Sequence, residues 1–395
     1  MNQTARRISI YAADTSGFCS ALYEYGGMTV IHDASGCNST YTTHDEPRWY
    51  ENESMMYISG LTENDAVMGN DEKFISDLVT TAEQLHPAFI AICASPMPAM
   101  IGIDMEAIAY EVESRTGIPS FNVRTNGMQS YIQGAADAFL KLSERFTEEA
   151  VGAEAVGPEA SGPDGVAGAG EVNESGKPLK VNILGMTPLD FPLGTENEIK
   201  SWLESNGLTV NACIGMGTSL DEVRRLSEAD VSLVVASSGR PLAESLLERF
   251  DIPFVVGVPY GKKFADKVIE DLKTAAAERR SIDSAADCRL YGNETAIVGE
   301  SVLSTSLAAA LSLDKGIASR VLESVGEGDL SQLSSEWDIS CDDEDMLEKE
   351  IGKSEVVVAD PLFEAICHGK SFVRRPHDAF SGRCFSREHT SIFEI

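Results

Sequence analysis

The sequence predicts an α/β protein of three doubly wound, Rossmann-like domains with parallel sheets and a cleft between them. Three observations predict it. Short apolar runs bounded by Gly or Pro recur along the chain, each the length of a buried parallel strand. Stretches with apolar residues at helical spacing alternate with them. One Ala-, Gly-, Glu-, Pro- and Ser-rich segment with no periodicity interrupts the alternation near residue 150. At 395 residues the chain is too long for one core and long enough for two or three such domains.

The first domain is assigned to residues 1–149. SGFCSALYEYGGMTVIHDASGC (16–37) places Cys19 on a small-residue turn, then an amphipathic piece, the apolar run MTVIH, and a second turn ending in Cys37. Gly17 and Gly36 sit beside the two thiols, where backbone can approach a bulky ligand. The polar, aromatic stretch NSTYTTHDEPRWY follows, and Pro47 ends any regular element there. Phe74, Ile75, Leu78, Val79 and Leu85 repeat at helical spacing. FIAICAS (89–95), flanked by Pro87 and Pro96, is a buried strand. MIGIDMEAIAYEVESRTG is a helix closed by Gly117, IPSFNV a strand, and GMQSYIQGAADAFLKLSERF the next helix.

Residues 150–178 form the flexible linker. The second domain, 179–290, reads strand LKVNILGM, helix TENEIKSWLESNG, strand LTVNACIG, helix TSLDEVRRLSEA, strand DVSLVVAS, helix RPLAESLLERF, strand IPFVVGVP and helix FADKVIEDLKTAAAERR. Capping boxes are expected from Thr195 to Glu198 and from Ser219 to Glu222. The third domain, 291–395, opens with ETAIVGE and the helix SVLSTSLAAALSLDKG. DEDMLEKEIGKS, VVVADP, LFEAICHG and SFVRRP continue it. Ligand clefts in such domains lie at the carboxyl ends of the strands.

Net charge is −32, and a surface that acidic repels phosphate backbones, which excludes nucleic-acid binding. No run of about 18 apolar residues predicts a membrane span. The first residues lack the apolar core of a signal peptide, so a cytoplasmic location is expected. The eight cysteines, Cys19, Cys37, Cys93, Cys213, Cys288, Cys341, Cys367 and Cys384, include no CxxC pair. Zinc-ribbon and bacterial-ferredoxin spacings are therefore absent, and a disulfide framework is not expected in a reducing compartment. No GxGxxG follows a first strand, so no nicotinamide or flavin is expected. The GKS runs at 352–354 and 369–371 have Leu347 and Glu364 where a phosphate-binding loop needs glycine. Any ATP hydrolysis thus belongs to another protein.

Several of these segments resemble the nitrogenase component 1 type oxidoreductases. They are Cys19, the HDASGC turn ending in Cys37, LTENDAVMGNDEKF (61–74) with Glu63, Asp65, Val67 and Gly69, IGIDMEAI (101–108), and the middle-domain wording GTSLDEVRRLSEADVSLVVA and ERFDIPFVVGVPYG. The resemblance implies an iron–sulfur cluster at the interface of two related subunits, with Cys19 and Cys37 as ligands. It also implies an ATP-dependent iron protein that docks and supplies electrons singly. Two thiolates from each of two copies would complete one [4Fe–4S] cluster. The partner copy is then identical (a homodimer) or a sister component 1 subunit (a heterodimer).

The family's usual third cysteine falls here on Pro96. Cys93, three residues earlier in the apolar strand, is either a third ligand in a reshaped loop or a core residue, and the core reading is favoured. His32 either hydrogen-bonds the cluster or stabilises its own turn. Gly36 stands beside the cluster, and Asp33 and Glu46 are taken as turn and surface residues, with a cluster ligand as the alternative for Asp33, since Asp serves as one in some relatives. His377 is a loose counterpart of the cofactor histidine of nitrogenase, and Ala236 or Ser237 stands where nitrogenase has its cofactor cysteine. No iron–molybdenum cofactor, and no dinitrogen reduction, is therefore expected. Arg240, Arg374, Arg375 and Arg383 are candidates for binding acidic groups of a small-molecule substrate, against a plain surface role. The implied function is a subunit of a nitrogenase-like two-component reductase acting on a small molecule. The alternatives are a metallocofactor assembly scaffold or a cluster-free ligand-binding paralogue.

Overall fold

The computed structural model describes residues 6–34, 36, 46–149, 178–325, 330–341 and 343–395. All of the expected linker except Pro178 lies outside these residues, as do Cys37 and His44.

The first unit runs α1 (Asp14–Leu22), β1 (Met28–His32), β2 (Met55–Ile58), α2 (Glu63–Met68), α3 (Asp71–Leu85), β3 (Ile90–Ala94), α4 (Pro96–Ile101), α5 (Met105–Thr116), β4 (Ser120–Val123) and α6 (Tyr131–Phe146). The second runs β5 (Lys180–Leu184), α7 (Thr195–Ser205), β6 (Thr209–Ile214), α8 (Leu220–Arg224), β7 (Val231–Val234), α9 (Arg240–Phe250), β8 (Phe254–Val256), α10 (Lys263–Glu278) and β9 (Ile282–Asp283). The third runs β10 (Tyr291–Gly299), α11 (Ser301–Ala310), β11 (Ser319–Glu323), β12 (Ile339–Ser340), α12 (Glu344–Ile351), β13 (Val356–Ala359), β14 (Ser371–Arg374) and α13 (Asp378–Ser381).

Three sheets result, ordered β2-β1-β3-β4, β6-β5-β7-β8-β9 and β12-β11-β10-β13-β14. Every strand pair is parallel. The central strands are buried along their whole length: Met28–His32, Ile90–Ala94 and Val231–Val234 expose no residue. That is why they read as continuous apolar runs. Strand order reverses between β1 and β3, between β5 and β7, and between β10 and β13. At such a reversal the flanking connections diverge and leave a crevice at the carboxyl ends.

Several local expectations are corrected. Gly102 takes a left-handed conformation (φ 74°), which ends α4 and splits the single helix expected over 100–117; Asp104 then caps α5 by accepting from Ala107 N. Neither capping box forms. Gly194, not Thr195, occupies the cap of α7, and Glu198 instead accepts from Ser391 Oγ at 2.7 Å. Ser219 caps α8 without a side-chain bond, because Glu222 accepts from Cys213 N at 3.0 Å. Residues 6–12 lie on the third unit: Ile8 and Ala12 share a core with Phe363 and Phe380. The backbone N–H groups of Arg6, Arg7 and Ile8 all donate to Glu344 Oε2, at 2.9, 3.0 and 3.3 Å.

Candidate metal centre

The carboxyl ends of β1 and β3 define the first reversal point; of the candidate cysteines, Cys93 is on β3 and Cys19 shares its core. Cys19 lies inside α1, not on a turn, and its side chain is fully buried. The reason is the small-residue run itself, which packs helix against helix. A Cβ on Gly17 would stand 1.9 Å from Tyr131 O, and one on Gly134 would stand 1.9 Å from Asp14 O. Gly17 therefore admits the backbone of α6, not a ligand. Gly36 meets nothing within 4 Å of a built Cβ.

Cys93, on β3, is also fully buried and shares a core with Cys19. Burial pushes the Cys19 thiol well above its usual value, with Cys93 and Glu46 adding to the rise. Burial also raises Cys93, which Thr125 partly offsets. Asp14, at the start of α1, accepts from the N–H groups of Asn126 and Gly127, at 2.8 Å each, and so fixes the loop after β4. Asp33 and Glu46 are buried, not surface residues. Asp33 Oδ1 accepts from Ser95 Oγ at 2.6 Å, which ties the end of β1 to the end of β3.

Glu46 is held by Arg48, a residue with no signal in the sequence. Its guanidinium is 2% exposed and all five N–H groups are used. Nε donates to Glu46 Oε1 at 2.6 Å; Nη1 donates to Glu24 Oε1 at 2.9 Å and to Gly215 O at 2.8 Å. Nη2 donates to Ser20 O at 2.6 Å and Ser20 Oγ at 3.2 Å. Arg48 thus ties the exit of the 37–45 segment to the residue after Cys19 and to the second unit.

Among the described residues no three His, Cys, Asp or Glu side chains are grouped to hold a metal ion. Two buried thiols, Cys19 and Cys93, share one core, and thiolates are the donors an iron–sulfur cluster takes. Thiols held protonated by burial are also ones that iron binding would deprotonate.

His32 is buried at the end of β1. Its Nδ1 is hydrogen-bonded to Ser59 Oγ at 2.7 Å and its ring stacks on Phe74 with centroids 4.1 Å apart. Burial lowers its pKa to about 4, so it is neutral at pH 7. It lines a surface pocket made by residues 59–77 and 101–104, with Asp65, Lys73 and Asp104. The two segments LTENDAVMGNDEKF and IGIDMEAI meet there. Ile101, which lines it, is exposed, as are Val67, Met68, Met97, Met100 and Met128.

His377 is elsewhere, in the cleft where the three units meet. Its Nε2 is 3.3 Å from Asp190 Oδ1, its backbone N–H donates to Asp360 Oδ2 at 2.8 Å, and its ring packs on Phe380. Burial opposes the imidazolium, but Asp190, Asp360 and Glu300 outweigh it and raise the pKa. Asp190 accepts from Tyr131 OH at 2.6 Å and from Thr187 Oγ1 at 2.9 Å, so all three units touch at one carboxylate. Ser237 is bonded to Glu300. Of the candidate arginines, Arg374 and Arg375 line the cleft. Arg240 does not; it pairs with Glu244 on its own helix, at 2.8 Å. Arg383 does not either, and its guanidinium lies over Tyr50, 5.9 Å from the ring centroid.

Residues 25–318 match the nitrogenase component 1 type oxidoreductases, and the chain belongs to that family. It is 31% identical over 208 residues to the nitrogenase iron–molybdenum cofactor biosynthesis protein NifE of Sinorhizobium fredii, covering 52% of this chain and 37% of that protein. It is 26% identical over 271 residues to one of the subunits of the light-independent protochlorophyllide reductase of Pelodictyon phaeoclathratiforme, covering 64% of this chain and 44% of that one. The matched stretches thus span about two fifths of these relatives' own length. The solved structure "Nitrogenase Cp1 at pH 6.5" superposes with a TM-score of 0.65 over 95% of this chain and 87% of its own, at 15% identity; that likeness shows the shared fold. No helix among the described residues is long and apolar enough to cross a membrane.

Proposed function

We propose that this chain is a subunit of a nitrogenase-like two-component reductase that holds a [4Fe–4S] cluster between two copies, identical or sister, and reduces a small molecule other than dinitrogen. The observation that supports the reading is Cys19, a buried thiol within α1, in a chain of this family. Cys19 and Cys37 are its ligands from each copy, and Cys93, buried in the same core as Cys19, is a core residue and not a third ligand. Bound there, the cluster supplies one-electron redox chemistry. The chain's own residues do the rest. Arg48 and Glu46 fix the far end of the loop against α1, Asp33 and Ser95 join the two strand ends, and the core formed around α1 and α6 keeps water out.

The exposed side chains Val67, Met68, Met97, Met100, Ile101 and Met128, with Glu63, Asp65, Asp71 and Asp104 nearby in the chain, suit a partner with an apolar centre and a basic rim. An ATP-dependent iron protein is proposed for it. The likeness to NifE supports a second reading, a scaffold on which a metallocofactor is assembled.

Electron paramagnetic resonance of anaerobically purified, dithionite-reduced protein tests the reading. The reductase and scaffold readings both expect a reduced-cluster signal in wild type that disappears in Cys19→Ala. A signal that survives in Cys19→Ala refutes the ligand assignment. Sustained consumption of reductant with substrate then marks the reductase, and a single transfer of metal cargo marks the scaffold.

A further inference from the structure

We propose that the groove at the amino-terminal end of the first sheet docks an extended, lysine- or arginine-bearing segment of a partner protein. The inference goes beyond the reductase and scaffold readings and rests on neither. The groove is formed by the end of α1, the turn into β1, the loop 49–54 and the first residues of β2, and holds about 880 Å³. β1 and β2 run parallel, with Met28 paired to Met55. The groove therefore lies at the opposite end of the sheet from α2 and α4. Those helices follow the carboxyl ends of β2 and β3 and carry most of the exposed side chains assigned above to an iron protein.

The walls select a cation. Trp49, Tyr50 and Tyr57 line the groove and are 37%, 77% and 39% exposed, so three rings face water on one surface. Two carboxylates stand among them. Glu51 and Glu53 are exposed, and neither side chain has a partner among the described residues. Glu24, the third acid of the lining, is already taken by Arg48 Nη1 and Thr218 N. No Lys or Arg of the described residues lines the groove. The cleft where the three units meet has Arg374 and Arg375, the His32 pocket has Lys73, and the hollow between α5 and β4 has Lys141 and Arg145. Even in a chain of net charge −32, this groove thus stands out as acid without a local counter-charge. An ammonium or guanidinium group there meets a carboxylate and a ring face together. Arg383, 5.9 Å from the Tyr50 centroid, already shows the kind of group these rings accept.

The strand beside the groove selects an extended segment. In the order β2-β1-β3-β4, β2 is outermost, so its far edge has no strand partner among the described residues. Met55 and Tyr57, two apart, share the groove side of β2, while Met56 between them is buried in the core. A segment laid along that edge pairs its main chain with β2 and presents every second side chain to the rings and acids. The loop that forms the other wall is held in place. Glu51 N and Asn52 N both donate to Arg48 O at 2.9 Å, and Tyr23 OH donates to Asn52 O at 3.2 Å. Little ordering is therefore left to cost affinity on docking. A second copy of this chain would bring the same excess of acid to the groove, whereas a basic segment is complementary to it.

Calorimetric titration of the full chain with three probes tests this: a blocked heptapeptide of alternating lysine and valine, its glutamate–valine counterpart, and spermidine. The lysine peptide should bind, more weakly as salt is raised, and tighter than spermidine, which has no main chain to pair. The glutamate peptide should not bind. Glu51→Gln with Glu53→Gln should weaken the lysine peptide by about two- to thirtyfold. Tyr57→Leu, which keeps an apolar side chain on β2 and removes the ring face, should weaken it by about two- to fivefold. Glu106→Gln with Glu144→Gln, a pair equally exposed in the hollow between α5 and β4, should leave it unchanged. A thermal melt confirms that each variant is folded. No binding of the lysine peptide at millimolar concentration, equal binding of the glutamate peptide or of spermidine, or equal loss in the two glutamate pairs overturns the proposal. So does sedimentation showing a dimer that the lysine peptide dissociates, because a second copy would then be the occupant.

Discussion

Arg48→Ala is the perturbation with the largest expected effect on the seam between the first two units. The Arg48 side chain is 2% exposed, Glu46 is fully buried and Glu24 is 11% exposed. Alanine removes five hydrogen bonds and leaves Glu46 as a buried carboxylate with its cation gone. Breaking a buried ion pair from one side costs about 3–5 kcal/mol, mostly from the orphaned charge. For a unit of this size about 1 kcal/mol moves the melting temperature by roughly 2–4 °C. The first thermal transition, followed by far-ultraviolet circular dichroism, should therefore fall by on the order of 6–20 °C. Removing all three charges together (Arg48→Met, Glu24→Gln, Glu46→Gln) should recover much of that loss, because no unpaired charge remains. A melt of Arg48→Ala within about 2 °C of wild type would refute the account of Arg48 as a saturated buried anchor.

Three further outcomes follow. Gly17→Ala forces its Cβ against Tyr131 O and should destabilise by about 1–3 kcal/mol or more in urea unfolding, whereas Gly36→Ala, with open space around it, should unfold like wild type. Cys93→Ser places a hydroxyl in the apolar core and should lower stability by about 1–3 kcal/mol; retention of iron by the variant would mark Cys93 as packing and not ligation. The His32 pKa is lowered to about 4 in the fold, from about 6.5 unfolded, so between those values the unfolded chain binds more protons. Its contribution is fully present above about pH 6.5 and is lost as pH falls toward about 4; the urea midpoint of wild type should fall over that window more steeply than that of His32→Gln.

The fold was legible because its central strands are buried on both faces, so FIAICAS and DVSLVVAS read as unbroken apolar runs. One strand interrupted by a charged residue was not legible. SRVLE forms β11 although Arg320 interrupts it, because the guanidinium is buried against Glu350, a partner 30 residues away. At the candidate centre the cysteines announced themselves by type, but their surroundings did not. Gly17 reads as a flexible turn, yet it is a helix contact whose partner backbone lies more than a hundred residues ahead. Asp33 and Glu46 read as surface acids, because only tertiary structure supplies Ser95 and Arg48. The same holds for His377, whose company of Asp190, Asp360 and Phe380 is drawn from two units of the chain.

Iron and acid-labile sulfide per chain, measured on protein purified without oxygen, tests the central claim most directly. One four-iron cluster shared by two copies predicts about two irons and two sulfides per chain in wild type. Cys19→Ala and Cys37→Ala should each lose them while remaining folded. Anaerobic wild-type protein without iron, or variants that keep the full complement, would contradict the assignment.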